Sequence, residues 1–137
     1  MGAQRRGITP RFFFDRNLGK RVPEALERDG WLVELHDDHF EQTTPDVELL
    51  GKVASRGWIL VTQDKRIRFR AAERRALTAH GLQVFTIAST ANLGAAETIE
   101  ALRRAHGRMI AILKAHENEP FVFAVHKDGS VRRMTTD

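Results

Sequence analysis

The chain has 137 residues, of which 42% are hydrophobic and 29% charged, and its formal net charge at pH 7 is +4. This composition is typical of a folded globular protein and excludes a disordered chain, and the length suits a single domain. There is no cysteine, which excludes disulfides and thiolate zinc sites and favours a cytoplasmic location. The basic balance is compatible with a polyanionic partner. No apolar run approaches the roughly 20 residues that cross a bilayer, so we expect no membrane partner.

The first half of the chain alternates predicted strands and helices. A flexible arm, residues 1–10, precedes a short apolar strand at 11–14. Apolar residues recur at helical spacing over 22–26, and a second strand covers 31–35. After a polar loop, a second helix is predicted to begin at Thr44-Pro45, with proline at its first helical position. The buried face of that helix is predicted to consist of Val47, Leu50, Val53 and Ala54.

A buried strand is predicted at 58–61, and it ends abruptly in Thr62-Gln63-Asp64. Consecutive apolar residues of this kind indicate a central strand that is covered on both faces. Arginines then alternate with apolar residues over 66–70, which predicts an extended segment with its arginines on one side.

The rest of the chain continues the alternation and ends in a hairpin. A helix over 71–80 leads to a fourth strand at 82–88, and a long helix covers 94–116. Two further strands, 121–125 and 131–134, flank Asp128-Gly129, which is a strong hairpin signal. The inner stripe of the long helix is predicted to consist of Ile99, Leu102, Ile110 and Leu113.

These elements predict an α/β fold with three layers. Strand–helix alternation indicates a central, mainly parallel sheet with helices on both faces, to which the C-terminal hairpin adds an antiparallel margin. We expect a single domain over residues 11–137, in which 11–90 form the core and 91–137 the long helix and hairpin. No repeat or low-complexity linker divides the chain.

Three aspartates are expected on one edge of this sheet. Asp15 follows the first strand, Asp46 begins the helix after the second, and Asp64 follows the third. In a parallel sheet every strand-to-helix turn lies at the carboxyl edge, which is where ligands bind. Carboxylates that converge repel one another, and a divalent cation removes that repulsion. Oxygen ligands without thiolates favour Mg²⁺ or Mn²⁺.

Each of these acids also has a structural interpretation. Asp15 and Asp64 could cap the turn or helix that follows them. Asp46 would gain about 0.3–1 kcal/mol from the helix dipole without any role in chemistry.

The identity of a fourth acid stays open. Glu48 and Asp38 are both candidates, and Asp38 lies in the segment His36-Asp37-Asp38-His39 just past the second strand. Asp37 is a further candidate, and the histidines could bind a softer metal. The segment could equally be a polar loop in which aspartates bond to the backbone.

Four blocks of the sequence resemble the PIN-like domains of VapC-type toxins, over residues 11 to about 90. The blocks are Phe12-Phe13-Phe14-Asp15-Arg16-Asn17-Leu18-Gly19, His36-Asp37-Asp38-His39-Phe40, Pro45-Asp46, and Trp58 through Thr62-Gln63-Asp64-Lys65-Arg66-Ile67-Arg68. The resemblance implies a PIN-like fold, metal-dependent endoribonuclease activity, and neutralisation by a cognate antitoxin. It also implies that Asp15, Asp46 and Asp64 are the acidic positions of the site.

On this hypothesis the three aspartates hold Mg²⁺ or Mn²⁺ and hydrolyse an RNA phosphodiester bond. The basic residues that follow Asp64 are expected to neutralise the phosphates of the RNA backbone, with a solvated basic face as the alternative. These residues are Lys65, Arg66, Arg68 and Arg70.

Two rival interpretations stay open. A catalytically degenerate PIN-like module would bind RNA or a partner protein without cutting, which is favoured by Arg66 where related sequences have an acid. A phosphotransfer domain would use a nucleophilic aspartate, but phosphatases of that type need a second aspartate where this chain has Asn17. The long helix and hairpin edge could also dock a second copy of the chain or the antitoxin.

Overall fold

The computed structural model of the protein describes residues 10–63, 75, 78–88 and 93–134. Within them, the strands are β1 Arg11–Phe14, β2 Leu32–Leu35, β3 Ile59–Thr62, β4 Gln83–Ile87, β5 Phe121–Val125 and β6 Val131–Arg133. The α-helices of these residues are α1 Arg21–Arg28, α2 His36–His39, α3 Asp46–Ser55 and α4 Ala95–Ala115. A 3-10 turn, Arg16–Leu18, follows β1.

The strands form a six-stranded sheet in the order β2-β1-β3-β4-β5-β6. The pairs β1–β2, β1–β3, β3–β4 and β4–β5 are parallel, and β5–β6 is antiparallel. The predicted parallel sheet and C-terminal hairpin are therefore confirmed. Strand β5 is parallel to β4 because α4 carries the chain back to the starting end of the sheet, and β6 is antiparallel to β5 because a short turn joins the two strands.

Strand β1 lies inside the sheet and contributes to both of its faces. Phe12 and Phe14 pack into a hydrophobic cluster with residues of α1 and α4, whereas Phe13 packs into a second cluster with residues of α3. Each of the three phenylalanines is at most 1% exposed. Successive strand residues point to opposite faces, so this alternation confirms the predicted three layers, with helices on both sides of the sheet.

The segment His36-Asp37-Asp38-His39 is a turn of helix, α2, rather than the predicted alternative of a polar loop. The N–H of Phe40 donates to the carbonyl of His36 at 2.9 Å, and the side chain of His36 is only 6% exposed. Two aspartates in the first turn suit the positive end of a helix. The carboxyl end of β2 is therefore followed by a buried histidine in a helical turn.

Helix α3 differs from its prediction at its first residues. Pro45 is the N-cap, with an extended backbone, and Asp46 is the first helical residue. The buried positions are Leu49, Leu50 and Val53, whereas Val47 is 46% exposed. Val47 lies more than a quarter turn around the helix from the centre of that face, so its predicted burial is wrong.

Several predicted features lie outside the described residues. These are most of the N-terminal arm 1–10, Asp64, and the alternating segment 66–70. Of the predicted helix 71–80, residues 75 and 78–80 are described and are helical. Among the described residues, none of the helices combines the length and apolar character needed to cross a membrane.

Candidate active site

Asp15 is held at the carboxyl edge of the sheet by the strand that precedes it. It follows β1 directly, with an extended backbone, and its N–H donates to the carbonyl of Val61 in β3 at 2.9 Å. The 3-10 turn then leads the chain away from the sheet. Asp15 is half-buried. Because it directly follows β1, it lies at the carboxyl edge of the sheet.

A buried threonine on the neighbouring strand orients this carboxylate. The hydroxyl of Thr62, which is 1% exposed, donates to Oδ2 of Asp15 at 2.8 Å. The same hydroxyl accepts from Nδ2 of Asn17 at 3.2 Å, and Oδ1 of Asn17 accepts from the N–H of Gln63 at 3.2 Å. The network links the ends of β1 and β3. It fixes one carboxylate oxygen of Asp15, as the hydrogen-bond partners of metal-binding acids do.

Asp46 is placed near the same carboxyl edge of the sheet by topology, because α3 begins after the end of β2 and leads back to the start of β3. Its side chain is exposed in the first turn of α3, where the helix dipole also favours an acid. Asp64 comes two residues after Thr62, outside the described residues. The convergence of the three aspartates stays a prediction.

Two of the three candidates for a fourth acid, Asp38 and Glu48, have different surroundings, and the third, Asp37, lines the cleft described below. Asp38 is exposed in α2. Glu48 forms an exposed ion pair with Lys52, one turn along α3, with Nζ and Oε2 3.2 Å apart. Across the described parts of the chain, no three histidine, aspartate or glutamate side chains come together in a group that could hold a metal ion.

The donor chemistry of Asp15 nevertheless suits a hard divalent cation. A half-buried carboxylate with one oxygen already bonded is the ligand type that Mg²⁺ and Mn²⁺ prefer. Asp15 alone is not a complete ligand set, so a metal site requires further acids, for which Asp46 and Asp64 are the candidates.

A cleft opens beside Asp15, between the carboxyl ends of β1 and β2. Its volume is about 210 Å³. It is lined by apolar, acidic and basic residues: Phe14, Asp15, Arg16, Gly19, Lys20, Leu35, His36 and Asp37. Ligands of α/β proteins bind in such crevices at the carboxyl edge.

Asp37 connects the polar groups along one wall of this cleft. Its Oδ1 lies 3.2 Å from Nδ1 of His36 and 3.0 Å from Nε of Arg16. The hydrogen bond from His36 lowers the pKa of Asp37, and the positive charges of Arg16 and Lys20 lower it further, although partial burial opposes them. Asp37 therefore stays ionised and holds His36 and Arg16 in place.

The sequence did not assign Arg16 or Lys20 to the site, and it suggested His36 only as a possible ligand of a softer metal. Arg16 and Lys20 were identifiable as cations within five residues of Asp15, but their approach to Asp37 depends on the parallel register that pairs Phe14 with Leu35. The proposed RNA-contact residues Lys65, Arg66, Arg68 and Arg70 lie outside the described residues.

A second polar cluster lies at the edge strand, away from the cleft. Glu34 in β2 accepts from Arg11 and from His39, with 2.6 Å between the bonded atoms in each case. Partial burial tends to raise the pKa of Glu34, but the hydrogen bonds from His39 and Arg11 outweigh it and lower the pKa. The cluster joins β1, β2 and α2 and stabilises the edge of the sheet.

Comparison with known proteins gives one match. A family model described as "PIN like domain" matches residues 10–89, which is more than half of the chain. The matched segment contains β1 to β4, the cleft and all three predicted aspartates. No curated protein and no solved structure matches the chain significantly.

Proposed function

The chain belongs to the family of PIN-like domains, and from that premise we propose that it is a metal-dependent endoribonuclease, the toxin of a toxin–antitoxin pair. Domains of this family are generally nucleases, which hydrolyse phosphodiester bonds. The observation that carries the proposal is the half-buried carboxylate of Asp15, held by Thr62 at the carboxyl edge of the sheet. A cytoplasmic location belongs to the same proposal, since the substrate is RNA.

In this mechanism the residues of the chain have separate tasks. Asp15, Asp46 and Asp64 would hold Mg²⁺ or Mn²⁺, with Asp38 or Glu48 as a candidate fourth ligand. Such an ion, when bound, lowers the pKa of water and stabilises negative charge on the leaving oxygen. Thr62 keeps Asp15 in one orientation. Lys65, Arg66, Arg68 and Arg70 would bind the phosphates of the RNA backbone.

Two substitutions test the nuclease directly. Asp15→Asn and Asp64→Asn should abolish RNA cleavage that is sensitive to EDTA, while thermal unfolding shows that each protein stays folded. Asp29→Asn is the matched control, because Asp29 is bonded to Arg103 at the far end of α1. If a cleanly purified Asp15→Asn protein cuts RNA at the wild-type rate, the proposed site is wrong.

The toxin role rests on the resemblance of the four sequence blocks to VapC-type toxins, and it requires a separate test. Expression of the wild-type chain in bacteria should arrest growth, whereas Asp15→Asn should not. Co-expression of a small protein encoded beside this gene should restore growth. Arrest by both the wild type and Asp15→Asn would dissociate toxicity from cleavage.

A catalytically degenerate module that binds RNA or a partner protein is the second candidate. It is favoured by Arg66, which stands where the resemblance to PIN-like sequences implies an acid, and by the lack of a three-membered ligand group in the described residues. Titration with Mn²⁺ in the presence of RNA separates the two candidates. Binding without turnover at any metal concentration would favour the module.

A further inference from the structure

We infer that the cleft beside Asp15 binds one phosphate of the RNA backbone next to the bond that is cut, and that Lys20 is its main contact. The inference rests on the proposed function and adds a substrate-binding subsite to it. It is carried by the composition of the cleft walls, by the free donors of two cations, and by the position of the cleft against Asp15.

Lys20 is the cation of the cleft that is available to a ligand. Within the described part of the chain its ammonium group makes no hydrogen bond and no ion pair, and the residue is exposed at the N-cap of α1. It lies close enough to Asp37 to lower the pKa of that carboxyl. An ammonium group without a fixed partner can bind a phosphate without first losing another contact.

Arg16, the other cation of the cleft, is held by an ion pair with Asp37. Its Nε lies 3.0 Å from Oδ1 of Asp37, which leaves the two terminal nitrogens of the guanidinium to donate elsewhere. A guanidinium that is already oriented loses less side-chain freedom when it binds a phosphate. Asp37 is in turn bonded to the buried side chain of His36, so Arg16 is linked through Asp37 to a buried group.

The cleft is open where an RNA backbone would pass. Gly19 lines it with a positive φ of 72°, and a Cβ at this position would meet nothing within 4 Å. Phe14 and Leu35 supply apolar surface between the charged groups. The space beside Lys20 is therefore open to a chain that passes across it.

The charges of the lining residues decide which ligand is favoured. Asp15 and Asp37 balance Arg16 and Lys20. A divalent cation bound to Asp15, as the proposed function requires, makes the cleft net positive. An anion in the cleft then lies beside the metal-binding carboxylate, which is the position of a phosphate that flanks the bond to be cut.

Salt-dependent binding of a labelled single-stranded RNA tests the inference. Binding would be followed by the fluorescence anisotropy of the labelled RNA, titrated with the full chain in EDTA and in Mg²⁺. Lys20→Gln should lower affinity about five-fold at about 0.1 M salt and reduce the salt slope by about 0.7, the value of one phosphate contact on a single strand. Lys114→Gln is the matched control, because Lys114 is exposed near the opposite end of the sheet.

A second pair of variants predicts the opposite sign. Asp37→Asn removes a negative charge that repels a phosphate in the cleft, so RNA affinity should rise. Asp29→Asn makes the same change in an aspartate bonded to Arg103, away from the cleft, and should leave affinity unchanged. Thermal unfolding of all four variants verifies that they are folded.

The outcomes separate the inference from the proposed function. If the wild type cuts RNA and Lys20→Gln behaves as Lys114→Gln does, the subsite is wrong and the nuclease stands. If RNA binding depends on Lys20 but no metal supports cleavage, the subsite stands and the nuclease fails. If the chain does not bind RNA, both fail. If Lys20→Gln weakens only the binding of adenosine monophosphate, the cleft takes a free nucleotide and the inference is overturned.

Discussion

Two of the three buried threonines in the described residues, Thr62 and Thr98, use their hydroxyl groups in different ways. Thr62, in the half that the family model matches, donates to the carboxylate of Asp15 on another strand. Thr98, in α4 outside the matched segment, donates to the carbonyl of Gly94 one turn earlier in the same helix, at 3.0 Å. Both side chains are at most 1% exposed.

The difference shows which buried polar groups belong to a site and which belong to the scaffold. The hydroxyl of Thr98 is satisfied locally, and the other buried residues of α4 are apolar. The hydroxyl of Thr62 orients a carboxylate that the core does not need. Helix α4 of the C-terminal half therefore supplies much of the packing against one face of the sheet, while the N-terminal half carries the polar groups of the proposed site.

The largest expected effect comes from the scaffold. Leu102 in α4 is fully buried in the cluster that contains Phe12 and Phe14. Leu102→Ala should lower the free energy of unfolding by about 2–5 kcal/mol, because it leaves a cavity in the core. Denaturant unfolding measures the loss. Any loss of RNA cleavage should follow the unfolded fraction, so a fully folded but inactive variant would contradict the division between site and scaffold.

Thr62→Val and Thr98→Val compare the two hydroxyls directly. Thr62→Val removes the group that orients Asp15, so RNA cleavage should fall about 10- to 100-fold, as when other hydrogen-bond partners of metal ligands are removed. Thr98→Val should leave cleavage unchanged and lower the free energy of unfolding by about 1 kcal/mol. Steady-state cleavage and denaturant unfolding on both proteins give the comparison. If the two substitutions change RNA cleavage equally, Thr62 has no specific role in orienting Asp15 for catalysis.

The contact between the hairpin and α4 is a smaller test of the scaffold. A Cβ on Gly129 would approach Cβ of Arg104 to 2.5 Å, and Gly129 has a φ of 89°. Gly129→Ala should therefore destabilise the protein by about 1–3 kcal/mol. Gly107, on the exposed side of α4, has nothing within 4 Å of a Cβ, and Gly107→Ala should stabilise by about 0.8–1.0 kcal/mol. Thermal unfolding should move in opposite directions for the two variants.

The smallest expected effect is a pH dependence of stability from His106. Its ring lies 4.6 Å from that of Trp31, between centroids, and burial lowers the pKa of His106. Because the folded pKa lies below the unfolded value of about 6.5, the unfolded chain binds the proton first as pH falls. His106 therefore contributes full stability above about pH 6.5 and loses it as the pH drops towards the folded pKa.

His106→Phe should reduce this dependence while it keeps the contact with Trp31. Denaturant unfolding between neutral and mildly acidic pH measures the slope for both proteins. If His106→Phe keeps the wild-type slope of unfolding free energy against pH, the pH dependence comes from other histidines.

The sequence predicted the sheet well because its strands are short, apolar and separated by helical patterns. It predicted the inner stripe of α4 less well, since Ile110 and Leu113 are only partly buried. A helix of 21 residues is about 31 Å long, whereas a five-residue strand spans about 17 Å. The last turns of α4 therefore extend past the sheet. Helical spacing alone cannot indicate at which residue a helix stops packing against the sheet.

The candidate site was predicted in part for a similar reason. The position of Asp15 follows from topology alone, because any residue after a parallel strand lies at the carboxyl edge. The hydrogen bond from Thr62 depends on the register that pairs Phe14 with Val61. The burial of His36 depends on the helical turn that replaced a predicted loop. Register and local turns arise from contacts between distant segments, which one sequence does not reveal.

The central position of β1 has a consequence for the dynamics of the site. Its three phenylalanines pack into both layers, and the amide of Asp15 is bonded to Val61 in the next strand. Neither helical layer can detach without exposing part of β1. Amide hydrogen exchange at residues 12–15 should therefore occur only through global unfolding, and should be among the slowest in the protein. The backbone that positions the carboxylate of Asp15 would then persist for as long as the fold does.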